Sequence, residues 1–449
     1  MLLIKDKTFL SIYIPNYLEF SVLFILAILD TVFIALVEPR FVTVLGITHS
    51  LLIIVFVTSQ TIANITAAHL TNIDLSEEQK HYWVNKTLLL TFLTGIAYVS
   101  FILLLVPYLL TVVNLENNYQ HLNYVFIVII LLGAIFVALR RGINAIFNIY
   151  RMASINLYSS LIIVVFNVIF NVACYLLFFN KNNEWYLLGI GLSTFISQVI
   201  VPIGLIAIMV NNKTTSFKQW RDLLKDKKND WIIIKTGFIS SLEAGSYTVM
   251  TYVFIAVLSH ISQAAFVTRT MLIPWFQMVG ALSAAWVGYA NRELAFCWNA
   301  KQLDKFELTV ASLINWGKVF SSIGLLIMLA IFTLIQSIAF KELYSDAQAL
   351  HILIIVFLCL ALIEFFRVRN VIALTALRLL KYVGRSTMVS IMCHIVWLMS
   401  FFIIYQTQNS LNTLLAVGLM FGLMVVDEYF RGVYNYSLLR KFINNNDIV

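Results

Sequence analysis

Three polar side chains interrupt apolar stretches of the sequence. Asp30 lies in AILDTVFIAL, and Asn167 and Asn171 lie in IIVVFNVIFNVACYLLF. Asparagines four residues apart share one helix face, and at 1.5 Å per residue all three side chains lie roughly 10–20 Å below one membrane surface. A carboxylate with two carboxamides offers oxygen ligands for Na⁺, or a hydrogen-bonded site that exchanges a proton. The alternative is that each side chain only binds a local partner, as asparagines between membrane helices often do.

A second set of candidates lies in the other half of the chain. An acidic side chain inside a membrane span is a functional-site hypothesis by default, and Glu243 falls near the middle of a predicted span. Its alternative role is a structural ion pair with Arg269. Tyr247 and Trp275 offer aromatic faces of the kind that bind organic cations, although aromatic residues in membrane helices more often pack or face lipid. We predict that these four residues contact a substrate.

Membrane helices must carry these residues, because the chain is too apolar for a soluble domain. Of its 449 residues, 61% are hydrophobic and 12% are charged, whereas soluble domains have about 45–50% and 25%. A membrane-spanning helix needs about 20 apolar residues. Such stretches recur twelve times, at 12–37, 43–66, 87–113, 121–148, 153–178, 186–211, 232–258, 264–290, 309–337, 348–370, 384–406 and 411–434. We therefore predict an all-α membrane protein with twelve transmembrane helices.

The longest polar segment divides these spans into six and six. We predict an N-terminal six-helix bundle over 1–210, a cytoplasmic linker over 211–230 and a C-terminal six-helix bundle over 231–449. The segments FVALRRGIN and EFFRVRNVI match and place Arg140 opposite Arg367, which indicates an internal repeat. Two pseudo-symmetric bundles with the substrate between them are a common transporter plan.

The net charge of +8 indicates orientation in the membrane. Lys and Arg concentrate in the segments that are cytoplasmic if both termini lie inside, as topology rules require. Because these residues are scattered over every inner loop, we expect contact with membrane lipids and no nucleic-acid partner. We expect a small-molecule substrate and a monomer.

The sequence lacks the usual signatures of catalysis. It contains no GxSxG, no GxxxxGK[ST] and no HExxH. The cysteines are far apart and have no metal-ligand spacing; they are Cys174, Cys297, Cys359 and Cys393. We therefore predict that the protein is not an enzyme and has neither a metal site nor a cofactor.

At these residues the sequence resembles the multidrug and toxic-compound extrusion (MATE) family of the multidrug/oligosaccharidyl-lipid/polysaccharide (MOP) exporter superfamily. Four short motifs carry the resemblance: Pro15 with Asp30-Thr31-Val32 fifteen residues later, Asn-x-x-x-Asn at Asn167 and Asn171, Gly237 at the start of span 7, and Val287-Gly288 at the end of span 8. Span 7 departs from the family, because Ile239 replaces its proline and Tyr247 its glutamate. Glu243 lies one turn earlier on the same face.

The resemblance implies an antiporter in the bacterial inner membrane that alternates between outward-open and inward-open states. H⁺ or Na⁺ moving inward would bind near Asp30, Asn167 and Asn171, and a cationic, amphipathic compound would be exported. The alternative is a flippase or exporter of an anionic lipid-linked precursor or a dedicated biosynthetic product. Its cationic cavity would be lined by arginines that pair with phosphate groups, namely Arg140, Arg141, Arg269 and Arg367.

Overall fold

The computed structural model describes residues 7–35, 42–72, 74–112, 120–179, 182–212, 215, 223, 227–339, 347–407 and 411–446. The helices in these ranges are α1 (Lys7–Ala35), α2 (Val42–Ala68), α3 (Glu77–Val112), α4 (Gln120–Ile149), α5 (Ala153–Phe178), α6 (Asn183–Asn211), α7 (Lys227–Ile261), α8 (Gln263–Asn299), α9 (Leu303–Ala339), α10 (Ala347–Leu379), α11 (Gly384–Thr407) and α12 (Thr413–Asn446). A 3₁₀ turn, His69–Thr71, follows α2, and no strand occurs in the described ranges. Each predicted span overlaps one helix, and residues 36, 37 and 113 of the predicted spans lie outside the described ranges.

The helices form a multi-pass membrane protein. Eleven of those described are long and apolar enough to cross a membrane. The predicted span at 264–290 falls on α8, which is not among the eleven and has several side chains outside the described residues. A helix suits a lipid environment because it satisfies its backbone hydrogen bonds internally. The predicted all-α membrane fold is confirmed.

Contacts divide the chain into two units, Met1–Ala244 and Gly245–Val449, so the boundary falls inside α7. In unit 1, α4 is the central helix and packs against α2, α3 and α6. The first helix, α1, packs mainly on α5, which also contacts α6. The predicted domain limits at 210 and 231 stay a prediction.

Unit 2 repeats this arrangement around α10. That helix packs against α8, α9 and α12, which occupy the same places in chain order as the three neighbours of α4. The turns that follow α4 and α10 also correspond, because Arg151 and Lys381 both have left-handed φ angles, of 63° and 57°. The helices that carry Arg140 and Arg367 therefore occupy corresponding places in the two units, although the two arginines lie eleven and fourteen residues before the turns that follow.

A close crossing of α3 and α4 brings polar residues of α4 into the bundle. At Gly142 an added Cβ would lie only 2.6 Å from Thr91 Oγ1 of α3, so glycine is needed at this contact. Buried apolar side chains surround the crossing, among them Leu88, Leu139 and Ile143. The residues that flank Gly142 are consequently held inside unit 1.

The first half of α7 packs on unit 1. The Ser241 hydroxyl lies 2.6 Å from that of Tyr98 on α3. Gly237 faces α2 so closely that an added Cβ would lie 2.6 Å from Ile62 Cγ1. These two contacts fix the N-terminal half of α7 against α2 and α3.

The described residues of the predicted linker are also anchored on unit 1. Thr215 donates a hydrogen bond to Asn85 Oδ1, and Leu223 is buried. Asp230, in the first turn of α7, forms a buried ion pair with Lys86, with 2.5 Å between Oδ1 and Nζ. The hydrogen bond to Asn85 and the ion pair with Lys86 therefore hold described residues of the predicted linker against α3.

Candidate cation-binding site

The three residues predicted to bind a cation lie together in unit 1. The Asn171 amide nitrogen is 2.8 Å from Asp30 Oδ1 and 2.8 Å from Asn167 Oδ1. This contact forms because α1 packs on α5, and the spacing of four residues aims both asparagines in one direction. Asp30 is 4% exposed and both asparagines are fully buried.

Helix α6 adds two hydroxyl groups that the sequence did not identify. Thr194 Oγ1 donates to the second carboxylate oxygen of Asp30, at 3.1 Å, and accepts from the Asn167 amide, also at 3.1 Å. Ser193 donates to Asn171 Oδ1. Hydroxyl groups are common in membrane helices, so GLSTFISQ carries no signal that separates these two from others. The site therefore draws on α1, α5 and α6.

This arrangement offers oxygen ligands and no positive charge. The side chains of the five residues contribute six oxygens, which is the donor type that hard cations prefer. Both oxygens of Asp30 accept hydrogen bonds from neutral groups, and Asp30 forms no ion pair within the described residues. No described group of three or more His, Cys, Asp or Glu residues is arranged to hold a metal ion. A buried carboxylate of this kind needs a proton or a bound cation to balance its charge.

A second buried carboxylate lies on the same face of α1. Eleven residues separate Glu19 from Asp30, close to three helical turns, so the two side chains point the same way about 16 Å apart along the axis. Glu19 Oε1 accepts from the Asn144 amide at 2.6 Å and lies 3.5 Å from Arg140 Nη2. All of these groups are buried. The pairing of Glu19 with Arg140 was not predicted, because it joins α1 to α4.

Arg141 adds a second positive charge beside this pair. Its guanidinium group lies over the rings of Phe20 and Phe56, 5.5 Å from each centroid, at distances typical of cation–π contacts. The side chain acts electrostatically on the Glu19 carboxylate. Two guanidinium groups thus face one carboxylate at this level of α1.

Two predicted substrate residues lie close together in unit 2. Tyr247 is partly exposed, and its ring is tilted 5.9 Å from that of His394. Arg269 is partly exposed, and its guanidinium group lies 5.5 Å above the Phe254 ring. The phenol of Tyr247 acts electrostatically on Arg269. One aromatic and one cationic group therefore share this part of the unit.

The other two predicted substrate residues are not placed with them. Glu243 is 6% exposed and belongs to unit 1, one residue before the boundary inside α7. The Trp275 side chain lies outside the described residues. A shared substrate site for the four residues stays a prediction.

Unit 2 holds its own charged pairs. Glu364 and Arg367 form the ion pair within α10 that their spacing predicts. Arg431 binds Asp427 at 2.6 Å and Glu428 at 2.8 Å within α12, at separations of four and three residues. Arg367 therefore finds its carboxylate in its own helix, whereas Arg140 reaches across to α1.

Comparisons with known proteins identify the fold. Neither a protein-family profile nor a curated protein sequence matches the chain. A MOP-superfamily transporter from Pyrococcus furiosus, described as having a binding pocket of reversed polarity that suggests a different function, is 15% identical; the match covers 98% of this chain and 96% of that one, with a TM-score of 0.74. An outward-facing multidrug resistance MATE transporter is 16% identical over 98% and 96%, with a TM-score of 0.74.

A third solved structure, a MATE protein in a straight conformation, is 15% identical over 99% of this chain and 97% of its own, with a TM-score of 0.74. The chain therefore has the fold of the MATE transporters of the MOP superfamily, and the resemblance seen in the sequence is confirmed at the level of structure.

Proposed function

We propose that this chain, which has the fold of the MATE transporters, is a secondary active transporter that exports cationic, amphipathic organic compounds by antiport with H⁺ or Na⁺. The supporting observation is that Asp30 is buried, accepts hydrogen bonds from neutral groups at both oxygens and forms no ion pair within the described residues. A carboxylate inside a membrane span costs roughly 2.5–3.5 kcal/mol on insertion scales. Retaining it without a basic partner leaves it available to bind and release a cation.

Coupling follows from the way the site is assembled. Three helices supply its oxygens, α1 through Asp30, α5 through Asn171 and α6 through Thr194. The hydrogen bonds at 2.8 and 3.1 Å have little tolerance for displacement, so a shift of α1 relative to α5 and α6 changes the affinity for the cation. An ion can drive a conformational change only if it binds the two states with different affinity.

The proposal also includes the residues that contact the substrate and the membrane in which the protein acts. Glu243 supplies negative charge to a cationic substrate, and Tyr247 and Trp275 supply aromatic faces. Arg269, which lies close to Tyr247, limits the substrate range. The protein acts as a monomer in the bacterial inner membrane. Both of its termini lie in the cytoplasm, as the distribution of Lys and Arg indicates.

The proposal is tested by gradient-driven transport with the full chain reconstituted in vesicles. A cationic fluorescent dye is followed while a Na⁺ or a pH gradient is imposed and the other is clamped. The exchange Asp30→Asn keeps the side-chain volume and an oxygen that accepts from Asn171, but it removes the charge. We expect gradient-driven transport to fall at least about tenfold, the change in rate that accompanies 1.4 kcal/mol.

The matched control is the neighbouring residue in the same helical turn. The Thr31 hydroxyl donates to the Ala27 carbonyl of its own helix at 2.7 Å, so Thr31→Val should transport like the unmodified protein. Full coupled transport by Asp30→Asn, at equal protein content in the vesicles, would exclude Asp30 from the mechanism.

The second candidate function is export of an anionic lipid-linked precursor. It is favoured by the burial of Arg140 inside unit 1, since an interior arginine suits phosphate recognition. Deletion of the gene would then cause a lipid-linked precursor to accumulate, whereas loss of dye resistance without accumulation supports the antiporter.

A further inference from the structure

The cluster around Glu19 carries more positive than negative charge. Its charged side chains are one carboxylate, Glu19, and two guanidinium groups, Arg140 and Arg141. Arg140 is 1% exposed and Glu19 is 2% exposed. An uncompensated charge in a membrane protein's interior is costly, so this cluster favours binding of one negative charge.

Several donors in the cluster have no hydrogen-bond partner among the described residues. These atoms are Nε and Nη1 of Arg140, Nε of Arg141 and the amide nitrogen of Asn16. Asn16 lies three residues before Glu19 on α1, so it shares that face of the helix. A buried unsatisfied donor costs about 1–3 kcal/mol, and the cluster therefore gains most from a ligand with several acceptor oxygens.

Two acceptors in the described ranges are unsatisfied as well, the side-chain oxygens of Asn16 and Asn144. Asn144 donates its amide to Glu19, but its Oδ1 has no partner among the described residues. A ligand that brings an acidic O–H together with anionic oxygens fits both the donors and this acceptor. Dihydrogen phosphate and singly protonated phosphomonoesters have this combination together with a single negative charge, and the latter are populated near neutral pH since their second pKa is about 6.

We propose that Arg140, Arg141, Asn16 and Asn144 form a binding site for a phosphate group. The phosphate oxygens accept from the two guanidinium groups and from Asn16, and the phosphate hydroxyl donates to Asn144 Oδ1. Glu19 stays beside Arg140 and offsets one of the two positive charges. This site is about 16 Å from Asp30 along α1, and it rests on the second candidate function, which it deepens by naming the residues that would bind the phosphate.

The site is accessible through Arg141. Arg140 is enclosed, but Arg141 is partly exposed, so the cluster has an edge at which a ligand can enter. The guanidinium carbon of Arg141 lies 5.5 Å from the ring centroids of Phe20 and Phe56. Its Nε has no hydrogen-bond partner among the described residues, so this N–H can donate to a ligand. Arginine is the residue best suited to such planar recognition of phosphate.

The test measures thermal unfolding of the purified full chain against the concentration of inorganic phosphate, with potassium chloride at matched ionic strength as the reference. We expect phosphate, and not chloride, to raise the unfolding temperature of the unmodified protein. In Glu19→Gln both guanidinium groups lack a carboxylate, so the half-maximal phosphate concentration should fall at least about tenfold. In Arg140→Gln the remaining charges of Glu19 and Arg141 cancel, and the phosphate response should be lost.

A matched control distinguishes phosphate binding from general loss of a buried ion pair. Glu428→Gln is the same exchange in unit 2, but Arg431 keeps its contact with Asp427 at 2.6 Å. We expect this variant to be less stable and to respond to phosphate like the unmodified protein. If Glu428→Gln gains phosphate affinity as Glu19→Gln does, the proposal is wrong.

A second arm identifies the source of the phosphate. The protein is placed in nanodiscs of phosphatidylcholine with or without phosphatidic acid, in buffer that contains no phosphate. If phosphatidic acid stabilises the protein and Arg140→Gln abolishes this effect, the site binds a lipid headgroup. If only dissolved phosphate stabilises the protein, the site binds a soluble ligand. Absence of an Arg140-dependent response in both arms overturns the proposal, and this result is independent of the transport assay.

Discussion

The two carboxylates of α1 share a helix, a face and deep burial, yet their surroundings differ completely. Asp30 is held by neutral amide and hydroxyl groups from α5 and α6. Glu19 is held by Asn144 and faces two arginines from α4. A carboxylate balanced by guanidinium groups is a fixed part of the structure. A buried carboxylate that has no positively charged partner must instead bind a proton or a cation. The comparison shows that the partners, more than the carboxylate itself, determine what each site can do.

The largest expected difference is in stability. Glu19→Gln leaves two guanidinium groups without a carboxylate and should lower the free energy of unfolding by about 3–5 kcal/mol. Asp30→Asn removes no ion pair and keeps an oxygen for the Asn171 amide, so it should cost at most about 1 kcal/mol. Thermal unfolding of both variants in phosphate-free detergent measures the difference. Equal losses of unfolding free energy in the two variants would mean that the charges of Glu19 and Asp30 are neutralised in the same way.

A second difference concerns the asparagine that binds each carboxylate. Asn171→Ala removes the donor to Asp30 and also the acceptor for Ser193, and we expect gradient-driven export to fall about tenfold, or 1.4 kcal/mol. Asn144→Ala removes the corresponding donor to Glu19 and should change export less than about threefold, because it leaves the Asp30 site intact. Equal losses of export in the two variants would contradict separate roles.

The smallest effect is expected at Thr194. Thr194→Val removes the hydroxyl that donates to Asp30 Oδ2 at 3.1 Å but keeps Asn171 in place. One hydrogen bond is worth about 0.5–1.5 kcal/mol, so the half-saturating concentration of the coupling cation should rise about two- to tenfold. Ser197→Ala is the matched control, since that hydroxyl donates to a carbonyl of its own helix at 2.9 Å. An unchanged cation dependence in Thr194→Val would remove Thr194 from the site.

The helices were predictable because a bilayer requires apolar stretches of a fixed length. The ends of the helices were less predictable, because a helix continues beyond the apolar stretch when its polar turns are stable in water. For example, α12 reaches Asn446, whereas the predicted span ends at 434. Apolar length therefore predicts where a helix crosses the membrane better than where it ends.

Contacts within one helix were also predictable from spacing, and contacts between helices mostly were not. The pair Glu364–Arg367 follows from a separation of three residues. The pair Glu19–Arg140 depends on how α1 and α4 lie in the bundle, which no local pattern specifies. Thr194 was missed because most hydroxyls in these helices donate to their own backbone, as Thr48 does. Asp30 and the two asparagines were found because depth and periodicity are properties of a single segment.

The ion pair between Lys86 and Asp230 has a consequence for synthesis of the chain. Ribosomes add about 5–20 residues per second, so Lys86 is made on the order of ten seconds before its partner emerges. During that interval the Lys86 ammonium group lacks this carboxylate. The ion pair can form only after synthesis has passed Asp230, so the contact between α3 and the start of α7 is among the last to form in unit 1.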